Sequence, residues 1–250
     1  MQPSAKELVA LQPDVILTST TPTTTALLHQ TRSIPVVFAT VGDPVGSGFV
    51  ASFSKPGGNV TGFATVEGSL GGKWLELLRD IAPRVNRVAF LFNPATATYV
   101  ESYLNAFKAA AASLAVGPIA VRIHDPSEFE SVIAAQAREP TSGLIVLPDA
   151  FTIAHRVEIA TLAARYRLPA IYAWRLFVEA GGLLSYGVDL NDNFRRAATY
   201  VDRILSGAKP SELPVQMPVK FELVINLKAA KTLGLDVPLH LQQRADTIIE

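Results

Sequence analysis

Apolar runs rich in β-branched residues recur along the chain. Each ends at polar or Gly/Pro punctuation, and most are followed by helical periodicity. These runs predict strands at Asp14–Thr18, Pro35–Thr40, Asn59–Ala64, Arg87–Phe92, Ile119–Ile123, Gly143–Leu147, Ala170–Ala173 and Leu183–Tyr186, with a last one at Phe221–Ile225. The periodic stretches predict helices at Pro22–Thr31, Leu70–Ile81, Tyr99–Leu114, Pro126–Glu139, Ile153–Tyr166, Asn193–Leu205 and Leu227–Leu233. Continuous apolar strands alternating with helices indicate an α/β chain whose parallel sheets are covered by helices on both faces. Ala82-Pro83-Arg84-Val85-Asn86 closes one run of strand–helix units before another begins, which fits two lobes. Lys209-Pro210-Ser211-Glu212-Leu213-Pro214 is a late connector of the kind needed to cross back.

Length and composition narrow the function classes. At 250 residues, 49% of them hydrophobic, the chain can bury a sizeable core as one large domain or two modest ones. Lys+Arg 22 balance Asp+Glu 22, which argues against nucleic acid as the main partner, since phosphate binding needs a basic surplus. No run approaches the roughly 20 apolar residues of a membrane span. The opening Met1-Gln2-Pro3-Ser4-Ala5-Lys6 has neither the basic start nor the apolar core of a signal peptide. Cysteine is absent, so disulfides, thiolate catalysis and cysteine metal sites are excluded, while any compartment remains open.

In open α/β sheets, ligands meet the carboxyl ends of strands, where loops and helix N-termini converge. Behind Val15-Ile16-Leu17, six threonines and a serine crowd into Thr18–Thr25. Thr20 or Thr21 suits a helix N-cap, and Pro22 suits the first turn. The other strand ends carry Thr40 with Asp43, Asn93, Asp149 with Phe151, Tyr172 with Trp174, and Tyr186. Each loop alone reads as ordinary capping and turn chemistry. Their recurrence predicts polar groups around one crevice. Phe151, Tyr172, Trp174 and Tyr186 offer stacking faces to a ligand, or rings to the core.

Catalytic signatures are weak, and neither a catalytic residue, a metal ligand nor a cofactor is assigned. His29, His124, His155 and His240 are scattered without ligand spacing. In Gly68-Ser69-Leu70-Gly71-Gly72-Lys73-Trp74, Glu67 stands where a phosphate loop needs glycine and Trp74 where it needs Ser/Thr. Gly46-Ser47-Gly48 does not extend to a dinucleotide motif, and no G-x-S-x-G elbow exists. Asp43 with Asp149 is the one acid/base pair that could serve an enzyme. Asn59-Val60-Thr61 is a formal sequon that reads as a strand start.

The tract GDPVGSGFVASFSKPGGNVTG, Gly42–Gly62, is a turn-dense loop too apolar at Phe49-Val50-Ala51 to be a free linker. It resembles the signature of bacterial ABC-transporter substrate-binding proteins related to the tryptophan- and tyrosine-binding type. Lys73–Leu78 before Ala82-Pro83, the Phe92-Asn93-Pro94 turn, Ala170-Ile171-Tyr172 with Phe177–Gly187, Leu213–Gln216, Lys220–Asn226, Lys228–Lys231 and Leu233-Gly234-Leu235 agree, over essentially the whole chain. The resemblance implies two Rossmann-like lobes of the periplasmic binding protein type I kind, clamping a small molecule for a membrane permease, without catalysis. With the connectors above, lobe one is expected at 1–84 plus about 188–212, and lobe two at 85–187 plus about 213–250. Location in the periplasm or at the cell surface follows by the same resemblance. A ligand-sensing module of a regulator, on the same fold, is the second reading.

Two departures from the family pattern bear on the site. Family members begin with a signal peptide, then a strand, helix, strand and helix before the region matching Leu8–Leu17, whereas here Ser4–Leu11 reads as the end of that helix. The first strand of lobe one and its loop are therefore expected to be missing, leaving an incomplete lobe that a homodimer could cover. Amino-acid-binding relatives carry Thr-Asp-Asn where this chain reads Asp149-Ala150-Phe151, which displaces the acid that would meet a ligand ammonium. The ligand classes implied are an aromatic or branched amino acid or an aromatic acid. Lobe-one contacts would then fall largely on the threonines, and valine at Thr20 and Thr21 is expected to abolish binding.

Overall fold

The computed structural model describes residues 1–250. In chain order the elements begin α1 (Gln2–Ala10), β1 (Ile16–Thr18), α2 (Thr21–Leu28), β2 (Val36–Val41), β3 (Val60–Ala64), α3 (Leu70–Ile81), β4 (Arg87–Phe92), α4 (Val100–Ser113) and β5 (Gly117–Arg122). They continue α5 (Phe129–Ala137), β6 (Ser142–Val146), α6 (Ala150–Ala154), α7 (Arg156–Arg165), β7 (Ala170–Tyr172), α8 (Arg175–Glu179) and β8 (Leu184–Val188). The last are α9 (Leu190–Leu205), β9 (Phe221–Asn226), α10 (Leu227–Leu233), α11 (Leu239–Arg244) and β10 (Thr247–Ile249). The chain forms two compact units, one of Met1–Val66 with Asp189–Lys220, the other of Glu67–Val188 with Phe221–Glu250.

Unit 1 is built on a parallel sheet of order β1-β2-β3. Side chains alternate across β2, which explains why it is apolar throughout. Val36 and Phe38 join Ile16, Val60 and the α2 residues Ala26, Leu27 and Leu28 in one cluster. Val37 and Ala39 face the other way, onto Ala197, Tyr200 and Ile204 of α9. Those three residues, with Asn193, recur at helical spacing, so one stripe of α9 covers the sheet. Asn193 is buried and donates through Nδ2 to the carbonyls of Ala39 (3.1 Å) and Ala64 (3.3 Å), fixing α9 against the ends of β2 and β3.

Unit 2 carries a seven-stranded sheet of order β10-β9-β8-β7-β6-β4-β5. It is parallel except where β9 runs antiparallel to β8, pairing Leu184 with Ile225 and Val188 with Phe221. The parallel reading thus needs one correction, at the strand that returns after α9. One face holds Leu91, Leu144, Val146, Ala170 and Tyr172 under α5 and α7. On the other face, Phe90 packs on Phe107 of α4 (5.1 Å between ring centroids) and Trp74 of α3 packs on Tyr103 (5.1 Å). Full burial of each such large apolar side chain contributes about 1.5–3 kcal/mol.

The glycines of Gly68–Gly72 have a packing role. A Cβ at Gly71 would lie 2.2 Å from the Tyr103 carbonyl oxygen, and one at Gly68 2.9 Å from that of Ser102. Their bare backbones let α3 approach α4. This contact groups Leu70–Ile81 with unit 2, whereas the sequence reading placed it with lobe one; similarly, 213–220 group with unit 1. Other differences are local. The expected helix Ile153–Tyr166 is two helices, α6 and α7, meeting at His155, and Pro126–Glu128 forms a 3-10 turn before α5. The short elements α8, α11 and β10 had no sequence-based expectation.

Candidate functional site

In unit 1 the threonine-rich segment follows β1 and opens α2. Thr20 is the N-cap by position, but its side chain makes no cap hydrogen bond. Its backbone N–H donates to Thr40 Oγ1 (3.0 Å) at the end of β2, so two of the expected residues meet. The remaining hydroxyls turn largely inward on the helix. Thr23 and Thr24 donate to the Thr20 carbonyl (3.2 and 2.8 Å), Thr25 donates to that of Thr21 (2.9 Å), and Thr18 donates to Thr23 Oγ1 (3.2 Å). The Thr20 hydroxyl lies 3.1 Å from that of Thr23. Thr20 has φ 66° and ψ 151°, a region in which a β-branched residue is strained. Thr20, Thr21 and Thr40 are all half-buried, so their outer surfaces remain accessible. Asp43 holds its own turn, with Oδ1 accepting from Gly46 N–H (2.8 Å) and its carbonyl from Ser47 N–H (3.0 Å).

In unit 2 the sheet order determines where a polar cluster can form. From β4 the chain moves outward to β5 and then returns to place β6 on the opposite side of β4. That reversal falls at the carboxyl ends of β4 and β6, the position where open α/β sheets take ligands. Asn93 follows β4 and Asp149 follows β6 shortly after Val146; both are buried. Asn93 Oδ1 accepts from Ala95 N–H (2.8 Å), which shapes the turn and presents Thr96. Thr96 then donates through its hydroxyl to Asp149 Oδ1 (3.0 Å). The same oxygen takes the N–H groups of Phe151 (2.7 Å) and Thr152 (2.9 Å), capping α6.

Asp149 Oδ2 is buried and has no hydrogen-bond partner. Buried polar atoms are nearly always paired, so an orphaned carboxylate oxygen at the strand-end reversal marks a place for a donor. Burial raises the Asp149 carboxyl above the usual carboxylate range, against the lowering pull of the hydrogen bonds its Oδ1 accepts from Thr152, Thr96 and Phe151 and of the nearby Asn93 backbone N–H. Tyr99 lies beside it and donates to the Pro148 carbonyl (2.6 Å). Desolvation first, and then the Asp149 charge, push this phenol well above its ordinary value. The cluster can accept one hydrogen bond strongly, or share a proton with a bound group.

The aromatic candidates separate. Phe151 is half-buried, with its ring against Phe129 (5.4 Å) and His155 (5.1 Å). Tyr172 is buried in the core, stacked on Phe177 (4.7 Å, 12° between planes), and Trp174 is also buried. Tyr186 remains half-exposed, stacked on Phe221 (6.2 Å), and its carbonyl accepts from Trp74 Nε1 (2.6 Å). Asn93 and Asp149 are therefore brought together, as are Thr20 and Thr40, while Tyr172 and Trp174 go to the interior. Thr96 and Tyr99 were not singled out from the sequence. Their only signal was position: a hydroxyl three residues after Asn93, and an aromatic in the same turn. No group of three or more His, Asp or Glu side chains is placed to hold a metal, and no helix is long and apolar enough to cross a membrane.

The family described as ABC transporter substrate binding protein matches residues 2–249. The chain is 25% identical over 237 residues to a tyrosine-binding protein of Clostridioides difficile strain R20291, covering 94% of this chain and 67% of that one. Among solved structures it is similar to the ABC domain in complex with L-Trp from Streptococcus pneumonia, with TM-score 0.88 and 25% identity over 99% of this chain and 83% of the other. A conserved domain protein from Vibrio cholerae superposes with the same TM-score at 30% identity, over 99% of this chain and 82% of that one. The chain belongs to the ABC transporter substrate-binding protein family, on the periplasmic binding protein type I-like fold.

Proposed function

We propose that this family member is the solute-binding component of an importer, that it performs no catalysis, and that its ligand is an aromatic or branched amino acid or an aromatic acid. The observation that carries the ligand site is the buried, unpartnered Asp149 Oδ2 at the chain reversal between β4 and β6. A ligand ammonium or hydroxyl donating to this oxygen would satisfy it. Asn93 and Thr96 keep the carboxylate in place, and half-exposed Tyr186 offers a ring face. In unit 1, Thr20, Thr21, Thr40 and Asp43 at the ends of β1 and β2 are proposed as ligand-contacting residues. Phe151 contributes by holding the α6 turn through its ring contacts. The tyrosine-binding relative and the L-Trp complex support an aromatic amino acid within this class. A membrane permease as partner and an extracytoplasmic location follow from the family.

Binding would favour whichever conformation gives the ligand its better contacts, and only that difference in affinity can shift the population. Calorimetry against tyrosine, tryptophan, phenylalanine, leucine, isoleucine and phenylpyruvate tests the assignment. Binding to at least one member, lost or strongly weakened in Asp149→Asn, is the expected result. No heat with any member, and no ligand retained in native mass spectrometry, would remove this ligand class.

A further inference from the structure

A second site emerges in unit 2, at the other end of the strands. A cavity of about 220 Å³ lies between α7 and α10. Ala170 at the start of β7, Leu183 just before β8 and Asn226 at the end of antiparallel β9 all line it. Leu184 pairs with Ile225, so Leu183 and Asn226 lie side by side, and the cavity opens at the amino end of β7 and β8. The Asp149 cluster lies at the carboxyl ends. The cavity owes its room to small side chains, with Ala160, Ala163 and Ala164 on α7 facing Ala229 on α10. An apolar cavity of about 150 Å³ already accepts benzene, so this one has space for a ring with a short arm.

The lining carries donors and a cation but no carboxylate. Lys228 is its only charged residue, is exposed, and has no carboxylate partner. Asn226 uses its Oδ1 to accept from Ala229 N–H (2.9 Å), which leaves its amide N–H groups to offer. Thr232 has already given its hydroxyl proton to the Lys228 carbonyl (2.9 Å). Tyr172 is 1% exposed, and its hydroxyl has no partner. A Cβ on Gly182, another lining residue, would lie 2.5 Å from Tyr172 Cε2, so the hydroxyl end of this ring reaches the 182–183 turn. Leu183 in that turn accepts from Asn226 N–H (2.9 Å), which brings the phenol and the amide toward one corner. Burial keeps the phenol protonated, hence a donor. The cavity thus offers a phenol O–H, an amide N–H and an ammonium, with no acid among its walls.

We propose that this cavity binds a small monocarboxylate with an aromatic or branched apolar body. The body packs among the alanines, and the carboxylate takes hydrogen bonds from Tyr172 and Asn226 with Lys228 above it. Donors without a competing acid select an anion, and the volume limits the body to about one ring.

Phenylacetate titrated into the full chain, followed by NMR of alanine methyls, tests this. The Ala160, Ala163, Ala164 and Ala229 signals are expected to shift saturably, and neutral phenylacetamide to bind about tenfold more weakly, as loss of a charge-assisted contact implies. Lys228→Gln and Tyr172→Phe should each weaken phenylacetate about fivefold, the size of one lost hydrogen bond. Ala164→Leu, at an exposed helix position, should abolish the shifts by filling the mouth. Lys228 is also exposed, so its variant keeps the test valid if Tyr172→Phe disturbs folding. Shifts confined to the methyls of Ala95, Ala97 and Ala150, beside Asn93 and Asp149, would assign phenylacetate to the other site and overturn the proposal. So would unmoved alanine methyls, or phenylacetamide binding as tightly as the acid.

Discussion

The strand-end clusters of the two units differ in an instructive way. Unit 1 has many polar groups at the end of β1, and most satisfy one another: Thr18, Thr23, Thr24 and Thr25 all donate within their own segment. Unit 2 has few, and one of them, Asp149 Oδ2, is buried without a partner. A dense run of hydroxyls is conspicuous in a sequence but weak as a site signal, because short polar side chains readily bond to their own backbone. A single carboxylate matters more when its environment removes water and supplies partners for only one of its oxygens.

The largest expected effect tests the unit 2 side of this comparison. Asp149→Asn keeps an acceptor for the α6 cap but replaces the charge at the orphan position. If the ligand donates there, affinity should fall by about 10- to 100-fold, the range for a hydrogen bond to a charged group. Calorimetry with the tightest ligand of the panel measures this, and an unchanged affinity would reduce Asp149 to a helix cap. The same variant should alter pH dependence. The folded carboxyl titrates above its unfolded value, so its stabilising contribution is complete below about pH 4 and is lost as pH rises through the raised value. Ligand-free wild type should therefore lose urea resistance over that rise relative to Asp149→Asn. Parallel midpoint curves for the two proteins would contradict the shift.

Smaller effects test the unit 1 side. Thr20→Gly should stabilise the fold by about 1 kcal/mol, because a β-branched residue strained by 1–3 kcal/mol gives way to one that adopts positive φ freely, less the chain entropy of glycine. A lower midpoint in thermal unfolding would show that the Thr20 side-chain contact outweighs the strain. Thr20→Val keeps the backbone N–H bond to Thr40 and removes only one hydroxyl, so ligand affinity should fall about fivefold or less. This is milder than the abolition expected from the sequence for Thr20 and Thr21 together. A hundredfold loss in the calorimeter would restore the threonines as the dominant contacts.

Some of this was legible from residue order. Arg87–Phe92, Leu70–Ile81 and Leu227–Leu233 form as strand, helix and helix at the limits read from pattern, because their apolar spacing is local and unambiguous. Asn93 and Asp149 were picked out as strand-end residues on the same ground. Their meeting was not legible, since it depends on β6 returning to the far side of β4. Nor was the break at His155: Asp149 and Thr152 form a capping box that starts α6 earlier than the apolar period suggests. Three-residue β10 has no pattern of its own and exists because Thr247–Ile249 pairs with Val224–Asn226.

The sequence by itself determined the α/β class, the family and the approximate positions of most elements, because these rest on periodicity and motifs confined to neighbouring residues. Only the tertiary structure decided which polar atoms were left without partners. Asp149 Oδ2 and the Tyr172 hydroxyl are orphans because packing removed water from them and brought no donor or acceptor in exchange, a balance that depends on residues far apart in the chain.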